Sequence, residues 1–555
     1  MIKKIWLSVA VIVASAFLFM APAWYPFVRE ANGRNLFISP DAMVLLGAVL
    51  LLAYLSAYFL PSRFFVLIVR AGQGICRRWR LTLFLMSVIL LASLIWVNRH
   101  ILHSFMNSAD EHSCYFLAEC FRMGKWWVEP HPLSEFFDVI HVGNRDGKWF
   151  SVYPFGWPLL MALGIQWNIL DWMNPLMTTL AFVIFFIVAR RLYGRPTALL
   201  ASFLLLASPF FLFTGASYFS HGTCLLMVAL FSYSFLKWRE SEHKRSEMVW
   251  AALAALAIGY GLATRYLSMA AIAAPFLLYQ LWPVLRRKEP IRKVHVVVLS
   301  ILAFFVLLVL FQNFVVTGKF HKAPNRYDKS WERLGFRDFY TPLDGIIFVF
   351  ARFFYLMDWM PAFLVMLFLV RVFQKRQMPA PTKLFHFAFF YPVIAYFFYF
   401  SWGGNQYGPR YYYDGFPFFA MVLADGIVQW VRSDNEKLRK FILTGFMLSL
   451  IVSGYLYAKQ GEYYEEASRQ RKALYDFAEE RIQNPAIVFI RGFLGQRLVM
   501  SQDDAIRNRP ALDGKILYAK DKAEENQRLR DYYPEREHYL GYFDRDEKKA
   551  KLVRL

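Results

Sequence analysis

The sequence predicts a mainly α, polytopic helical membrane protein with about thirteen spans, interfacial helices in its outer loops and a small C-terminal α/β domain. Three observations predict this fold class. The chain is rich in apolar and aromatic residues, its apolar segments are separated by loops that are alternately basic, and its composition changes after Ala458.

Composition excludes several other classes of protein. Of the 555 residues, 57% are hydrophobic and only 19% are charged, whereas soluble domains are about half apolar and a quarter charged. The apolar content argues against a water-soluble enzyme and excludes intrinsic disorder. Four cysteines in 555 residues exclude a disulfide scaffold.

Apolar segments long enough to cross a bilayer recur along the chain, since a spanning helix needs about 20 such residues. The predicted spans lie near 5–27, 41–60, 81–101, 174–190, 197–214, 218–236, 248–264, 266–283, 294–313, 359–373, 384–401, 413–431 and 441–457. The first segment has an alternative reading as a cleaved signal peptide, because Lys3 and Lys4 precede an apolar run and a small-x-small site lies at 21–23.

Basic residues fall on alternate sides of these spans, as expected when basic loops resist translocation. Arg190 and Arg191 lie at the end of one span. The short outer turn at 214–217 has no basic residue, and the one at 402–412 has a single basic residue. The pattern predicts a cytoplasmic membrane protein with a cytoplasmic N-terminus and an extracytoplasmic C-terminal domain. The first 457 residues carry +20 of the net +22, which we assign to contact with anionic membrane lipid and not to nucleic acid.

Two apolar stretches do not fit as spans. If 155–170 crossed the bilayer, every later basic loop would lie outside, so we predict an interfacial helix marked by Trp157, Trp167 and Trp172. The stretch 344–358 is predicted to lie flat in the same way. The domains are then 1–97, the N-terminal spans; 98–457, a membrane domain with outer loops 98–173 and 314–358; and 458–555, an extracytoplasmic domain.

The first long outer loop contains the acidic pair Asp110 and Glu111. Ser108-x-x-Glu111 is a capping-box pattern, and acidic residues in a first helical turn favour the helix dipole. Asp110 also begins a helix face continued by Cys114 and Leu117, so partial burial at the edge of an apolar surface suits it as a general base. Both interpretations can hold, with Glu111 capping and Asp110 reacting.

These motifs resemble a known family. An Asp-Glu pair opening a helix in the first large outer loop, followed about 40 residues later by YPFGWPLL, is similar to the C-type (GT-C fold) integral-membrane glycosyltransferases. The resemblance is to members akin to protein O-mannosyltransferases and aminoarabinose transferases (family 39-like), and it continues with ATRY at 263–266 and YGPRYYYDGFPFF at 407–419. It implies a polyprenyl-phosphate-sugar donor, an envelope glycan, lipid or protein acceptor, Asp110 as base and Glu111 in support. Phe155 stands where a second proline is common, and two extra spans precede the loop.

The departing lipid phosphate needs fixed cations, and arginine binds phosphate through two donors. Arg265 and Arg410 are the main candidates, because each lies at the outer end of a span, where charge is costly. Their alternative role is snorkelling to headgroups or pairing with a carboxylate. Lys319 and Arg326, in the second long outer loop, are further candidates.

Other residues are predicted to line the pocket: Tyr153, Trp157, His112, His221 and Tyr407. No cofactor is certain. A divalent metal held by His112 with Asp110 stays open, although no H-x-x-x-H or C-x-x-C spacing supports it.

The C-terminal segment shows strand patterns at 486–490, 515–521 and 538–543 and a helical pattern near 522–531, which predict a small α/β domain. It has no phosphate-binding loop, and a cap or acceptor-guiding role suits it.

Two functions compete. One is an enzyme, a hexosyl- or pentosyltransferase, and the other is a lipid or glycan transporter or flippase. Transporters place ionisable residues near the middle of the membrane, whereas here they gather at one outer rim, which favours the enzyme.

Overall fold

A computed structural model describes residues 11, 13–21, 39–325, 334–404 and 406–555. The predicted span 5–27 lies only partly within these residues, and Arg326 lies outside them. The apolar segments fold as helices, since a backbone inside lipid must satisfy its own polar groups. The helices before the C-terminal sheet are α1 (Pro40–Phe59), α2 (Ser62–Arg77), α3 (Trp79–Trp96), α4 (Ala109–Arg122), α5 (Gly156–Gln166), α6 (Leu170–Tyr193), α7 (Arg195–Leu206), α8 (Pro209–Ala216), α9 (His221–Arg239), α10 (Lys244–Leu285), α11 (Lys293–Thr317), α12 (Pro342–Met357), α13 (Ala362–Phe373), α14 (Ala380–Phe387), α15 (Phe390–Phe397), α16 (Phe416–Val431) and α17 (Glu436–Arg481).

The predicted helical membrane fold is confirmed, but fewer helices qualify as single spans than the thirteen predicted. Within the described residues, six helices are long and apolar enough to cross a membrane, or seven if α7 and α8, which meet at 65°, form one span. Some predicted spans are shorter helices; α13 has 12 residues and α14 and α15 have 8 each. The number of spans also falls because two predicted spans, 248–264 and 266–283, lie in the single 42-residue helix α10.

Helix α10 is broken at Arg265, whose backbone angles of φ −146° and ψ 79° are not helical. The break falls between the two predicted spans. The two halves of α10 therefore meet at a point where the side chain of Arg265 leaves the helix, and α9 and α11 pack against α10.

Helix α2 was not predicted, because the arginines of this segment were assigned to an inner loop. Arg63, Arg70 and Arg77 are seven residues apart, which places them on one helix face. Phe64 and Leu67 are exposed on the same helix. The segment is amphipathic, as interfacial helices are.

A helix forms at each of the two stretches predicted to be interfacial. The first, α5, begins at Gly156, three residues after Tyr153, and ends at Gln166, short of the predicted 170. The second, α12, begins with a capping box in which Thr341 and Asp344 exchange hydrogen bonds of 2.9 Å and 3.3 Å.

The C-terminal α/β domain is also confirmed. Its strands are β3 (Ala486–Ile490), β4 (Ile516–Lys520), β5 (Glu537–Asp544) and β6 (Lys549–Arg554), ordered β4-β3-β5-β6, and α18 (Asn526–Tyr532) joins β4 to β5. Strand β3 is parallel to β4 and β5, and β6 is antiparallel to β5. Helix α17 is continuous through 458 and carries the chain from the membrane part into this domain.

The first outer loop and the C-terminal domain share one hydrophobic core. The loop contains a two-stranded hairpin, β1 (Val142–Arg145) and β2 (Lys148–Ser151). Phe136 and Trp149 of the loop belong to the same buried cluster as Ile487 of β3. The loop and the domain are therefore packed as one unit.

Candidate active site

The site begins at the N-terminus of α4, where Ser108 is the N-cap and its hydroxyl accepts from the backbone N–H of Asp110 at 3.2 Å. Glu111 does not complete the predicted capping box. Its Oε1 instead accepts from the backbone N–H of Tyr218 at 2.8 Å. Glu111 thus ties the start of α4 to the segment between α8 and α9.

Asp110 is surrounded by donors. Arg410 Nη1 lies 2.8 Å from its Oδ2, and the hydroxyl of Tyr153 donates to its Oδ1. Ser108 Oγ donates to Oδ2 at 3.1 Å, and His141 Nε2 lies 3.6 Å from Oδ1. The Arg410 guanidinium and the Tyr153 hydroxyl favour an ionised carboxylate whose two oxygens have fixed orientations.

A second carboxylate–arginine pair lies nearby. The broken backbone of α10 brings Arg265 Nε to 3.1 Å from Asp414 Oδ2. The terminal nitrogens of Arg265 lie 3.4 Å from Ser220 Oγ and 3.3 Å from the Tyr396 hydroxyl. Asp414 is fully buried, and its Oδ1 lies 3.7 Å from His221 Nδ1.

Both arginines face one cavity of about 200 Å³. The lining residues are Asp110, Cys114, His141, Val152, Tyr153, Pro154, Phe219, Ser220, His221, Thr264, Arg265, Tyr266, Leu267, Asn325, Tyr396, Tyr399, Ser401, Arg410 and Tyr411. Aromatic rings form much of the wall; Tyr396 and Tyr411 stack at 4.2 Å, and the Arg410 guanidinium lies 4.5 Å from the Phe219 ring. The cavity combines a carboxylate, two guanidinium groups and aromatic surface.

Close packing holds the cavity wall. The N-terminus of α5 presses on the break in α10, and a Cβ on Gly156 would lie 2.3 Å from Thr264 Oγ1. The Tyr260 hydroxyl donates to the Gly156 carbonyl at 2.8 Å. Only glycine permits this approach, which sets Arg265 beside the loop that carries Tyr153.

The structure separates the residues predicted for the site. Asp110, Tyr153, His221, Arg265 and Arg410 line the cavity. Four others are buried behind it: Glu111, His112, Trp157 and Tyr407. Lys319 is exposed just after α11 and is outside the lining, and Arg326 is among the residues not described.

Glu111 is almost fully buried, at 1% exposure, and burial raises its pKa to about 8. Its Oε2 has no hydrogen-bond partner within the described part of the chain, and neither has the Tyr407 hydroxyl. Glu111 is therefore mainly protonated at neutral pH, whereas Asp110 beside it is paired with Arg410.

Sequence reasoning missed Asp414, Tyr396 and Asn325. An acidic residue inside the aromatic segment YYYDGF was a usable signal, because buried charge in such a setting is paired or functional. His141 also lines the cavity and was not among the predicted pocket residues. Within the described residues, no group of three or more His, Cys, Asp or Glu side chains is placed to hold a metal ion.

Comparison with known proteins gives one match in sequence and several in structure. Residues 159–311 match the family described as dolichyl-phosphate-mannose-protein mannosyltransferase. No curated protein matches the chain in sequence.

The structural matches are to membrane transferases at low identity. Apo ArnT from Cupriavidus metallidurans is 14% identical, with 86% of this chain and 94% of that chain covered and a TM-score of 0.49. The same protein bound to undecaprenyl phosphate is 12% identical, with 83% of this chain and 92% of that chain covered and a TM-score of 0.48. The apo oligosaccharyltransferase of Archaeoglobus fulgidus is 15% identical, with 72% of this chain and 62% of that chain covered and a TM-score of 0.44. These values describe a resemblance of the overall fold alone.

The sequence match extends from within α5 to within α11 and includes Arg265 and the break in α10. It covers the part of the chain that forms one wall of the cavity. Over residues 159–311 the chain is thus similar to the protein mannosyltransferase family of membrane glycosyltransferases, as its motifs predict.

Proposed function

We propose that this protein transfers a sugar from a polyprenyl-phosphate donor to an acceptor hydroxyl or amine at the outer face of the cytoplasmic membrane. One observation carries the proposal: Asp110, Arg265 and Arg410 line a single cavity. A base and two phosphate-binding groups are what this transfer requires.

Asp110 is the proposed general base. The acceptor must lose a proton as it attacks the sugar carbon, and an ionised carboxylate within hydrogen-bonding reach can take it. Tyr153 donates to Oδ1 and Arg410 contacts Oδ2, so the carboxylate is oriented before substrate binds. The acceptor would replace one of these donors during attack.

Arg265 and Arg410 are the proposed ligands of the donor phosphate. The bond between the sugar carbon and the phosphate oxygen breaks with its electron pair going to the phosphate, which gains charge. Guanidinium groups stabilise that charge through paired N–H donors. The segment after α11 reaches the cavity, since Asn325 lines it. Lys319 and Arg326, close by in sequence, are kept as further candidate phosphate ligands.

The donor is proposed to enter from the bilayer. Tyr266 lines the cavity and is 47% exposed on the outer surface of α10. A polyprenyl chain would lie along this apolar face while its phosphate reaches Arg265. The acceptor is expected from the opposite side, where the outer loop and the C-terminal domain form one unit.

The test compares a deletion strain complemented with the wild-type gene or with Asp110→Asn. Mass spectrometry of envelope lipids, surface glycans and surface proteins should show one sugar missing in the deletion strain and in the variant, and restored by the wild type. That sugar identifies both donor and acceptor. Unchanged glycans together with altered lipid distribution would instead indicate a transporter and would overturn the proposal.

A further inference from the structure

Asp414 is a fully buried carboxylate behind the cavity wall that the base-and-phosphate scheme does not use. It lies on the 3-10 turn Arg410–Gly415, between the outer turn and α16. Its Oδ2 accepts from Arg265 Nε at 3.1 Å. Its Oδ1 has no hydrogen-bond donor within the described ranges, although His221 Nδ1 is 3.7 Å away.

The contact with Asp414 uses only one edge of the Arg265 guanidinium. The two terminal nitrogens have uncharged partners at long distances, Ser220 Oγ at 3.4 Å and the Tyr396 hydroxyl at 3.3 Å. A phosphate can displace such partners readily, because charge-assisted hydrogen bonds are shorter and stronger. Asp414 therefore holds Arg265 in place and leaves its phosphate-binding edge toward the cavity.

The four charged groups balance one another. Arg265 is paired with Asp414, and Arg410 is paired with Asp110 at 2.8 Å. The two pairs bring no net charge to the cavity, although two cationic groups line it. Phosphate binding thus depends on the orientation of the guanidinium groups more than on an excess of positive charge.

This balance matters because the reaction changes the charge of the lipid. A polyprenyl-phosphate sugar is a phosphodiester with one negative charge. When the sugar carbon bonds to the acceptor and the old carbon–oxygen bond breaks, the lipid leaves as a phosphomonoester with up to two negative charges, and the acceptor proton goes to Asp110. A cavity with uncompensated cations would hold this product more tightly than the donor.

We propose that Asp414 acts through Arg265 to limit the affinity of the cavity for the released polyprenyl phosphate, so that the product can leave. It touches no reacting atom and is a positioning residue. The inference rests on the proposed function, since it takes Arg265 to be a ligand of the lipid phosphate.

The test measures binding of undecaprenyl phosphate to the purified full-length protein in nanodiscs of zwitterionic lipid. In Asp414→Asn the amide oxygen can still accept from Arg265 Nε, but the negative charge is gone. We expect binding to tighten by about tenfold, as for one added unit charge in a partly screened site, and to weaken more steeply with salt. In any transfer assay, the variant should show a lower kcat with an unchanged KM for the acceptor.

The chain offers a matched control in Asp425, which is 1% exposed and pairs with Arg371 and Arg376. It lies eleven residues further along, about 16 Å from Asp414 in helical rise. Asp425→Asn also removes the charge of a buried aspartate paired with arginine, but it should leave undecaprenyl phosphate affinity unchanged.

A double variant guards against a folding defect in the single one. In an Arg265→Gln background, Asp414→Asn should not tighten undecaprenyl phosphate binding, because the guanidinium charge that Asp414 compensates in the wild type is no longer there. Unchanged or weaker binding in Asp414→Asn, or equal tightening in Asp425→Asn, would overturn the inference. If the wild type neither binds undecaprenyl phosphate nor transfers sugar, the proposed function itself fails; if it does both and Asp414→Asn binds no tighter, only the role of Asp414 fails.

Discussion

The protonation of Glu111 gives a stability change that can be worked out from the structure. Burial raises the pKa of this carboxyl from its ordinary value of 4.5 to about 8. The folded protein therefore binds this proton more tightly than the unfolded chain does. The stability contributed by the group is fully present below pH 4.5 and is lost as the pH rises toward about 8. At about 1.4 kcal/mol per unit, the loss is on the order of 5 kcal/mol.

Glu111→Gln should remove this dependence. The Gln carbonyl can still accept from the Tyr218 N–H, which lies 2.8 Å from Oε1, and the side chain carries no proton to lose. Thermal unfolding of the purified protein in detergent, measured from pH 5 to pH 9, should show the variant close to wild type at pH 5 and more stable than wild type at pH 9.

Glu111→Asp is the matched control, because it shortens the side chain and keeps a titratable group. It should be less stable than wild type and should still lose stability as the pH rises. Parallel curves for wild type and Glu111→Gln across the whole range would refute the assignment of a protonated, buried Glu111.

Three further substitutions test the cavity. Tyr153→Phe removes the hydroxyl that donates to Asp110 and should slow transfer by about tenfold at saturating donor; an unchanged initial rate would exclude an orienting role. Arg410→Lys keeps the charge but loses the planar fork, so the KM for donor should rise more than the KM for acceptor, and equal rises would count against phosphate binding. Gly156→Ala places a Cβ 2.3 Å from Thr264 Oγ1 and 2.8 Å from the Ala263 carbonyl, and it should lower stability by about 1–3 kcal/mol in denaturation; a wild-type unfolding midpoint would show that α5 can shift.

Local patterns in the sequence predicted part of the site. An acidic pair after a serine predicted the start of α4, and basic residues at the outer ends of spans predicted the two arginines that line the cavity. These features depend on residues close in the chain. Asp414 was missed because its role depends on contact with Arg265, which is 149 residues away, and no local pattern encodes that contact.

The fold shows the same division. Hydropathy predicted most helices, because burial in lipid depends on apolar length. It also suggested a loop where α2 forms, since the five arginines from Arg63 to Arg80 were assigned to a basic inner loop, although the seven-residue spacing of three of them indicated a helix face. The exposed position of Lys319, outside the cavity lining, was not foreseeable either, because exposure there depends on tertiary packing.

The shared core between the first outer loop and the C-terminal sheet has a consequence for how this protein can be shortened. Helix α17 is about 69 Å long. A truncation after its membrane portion would remove the residues that bury Phe136 and Trp149. The hairpin and α4 would then lose the packing contacts that fix their positions, and Asp110 at the start of α4 would no longer be held in place. A truncated protein should therefore insert into the membrane yet be inactive, even though every cavity-lining residue is still present.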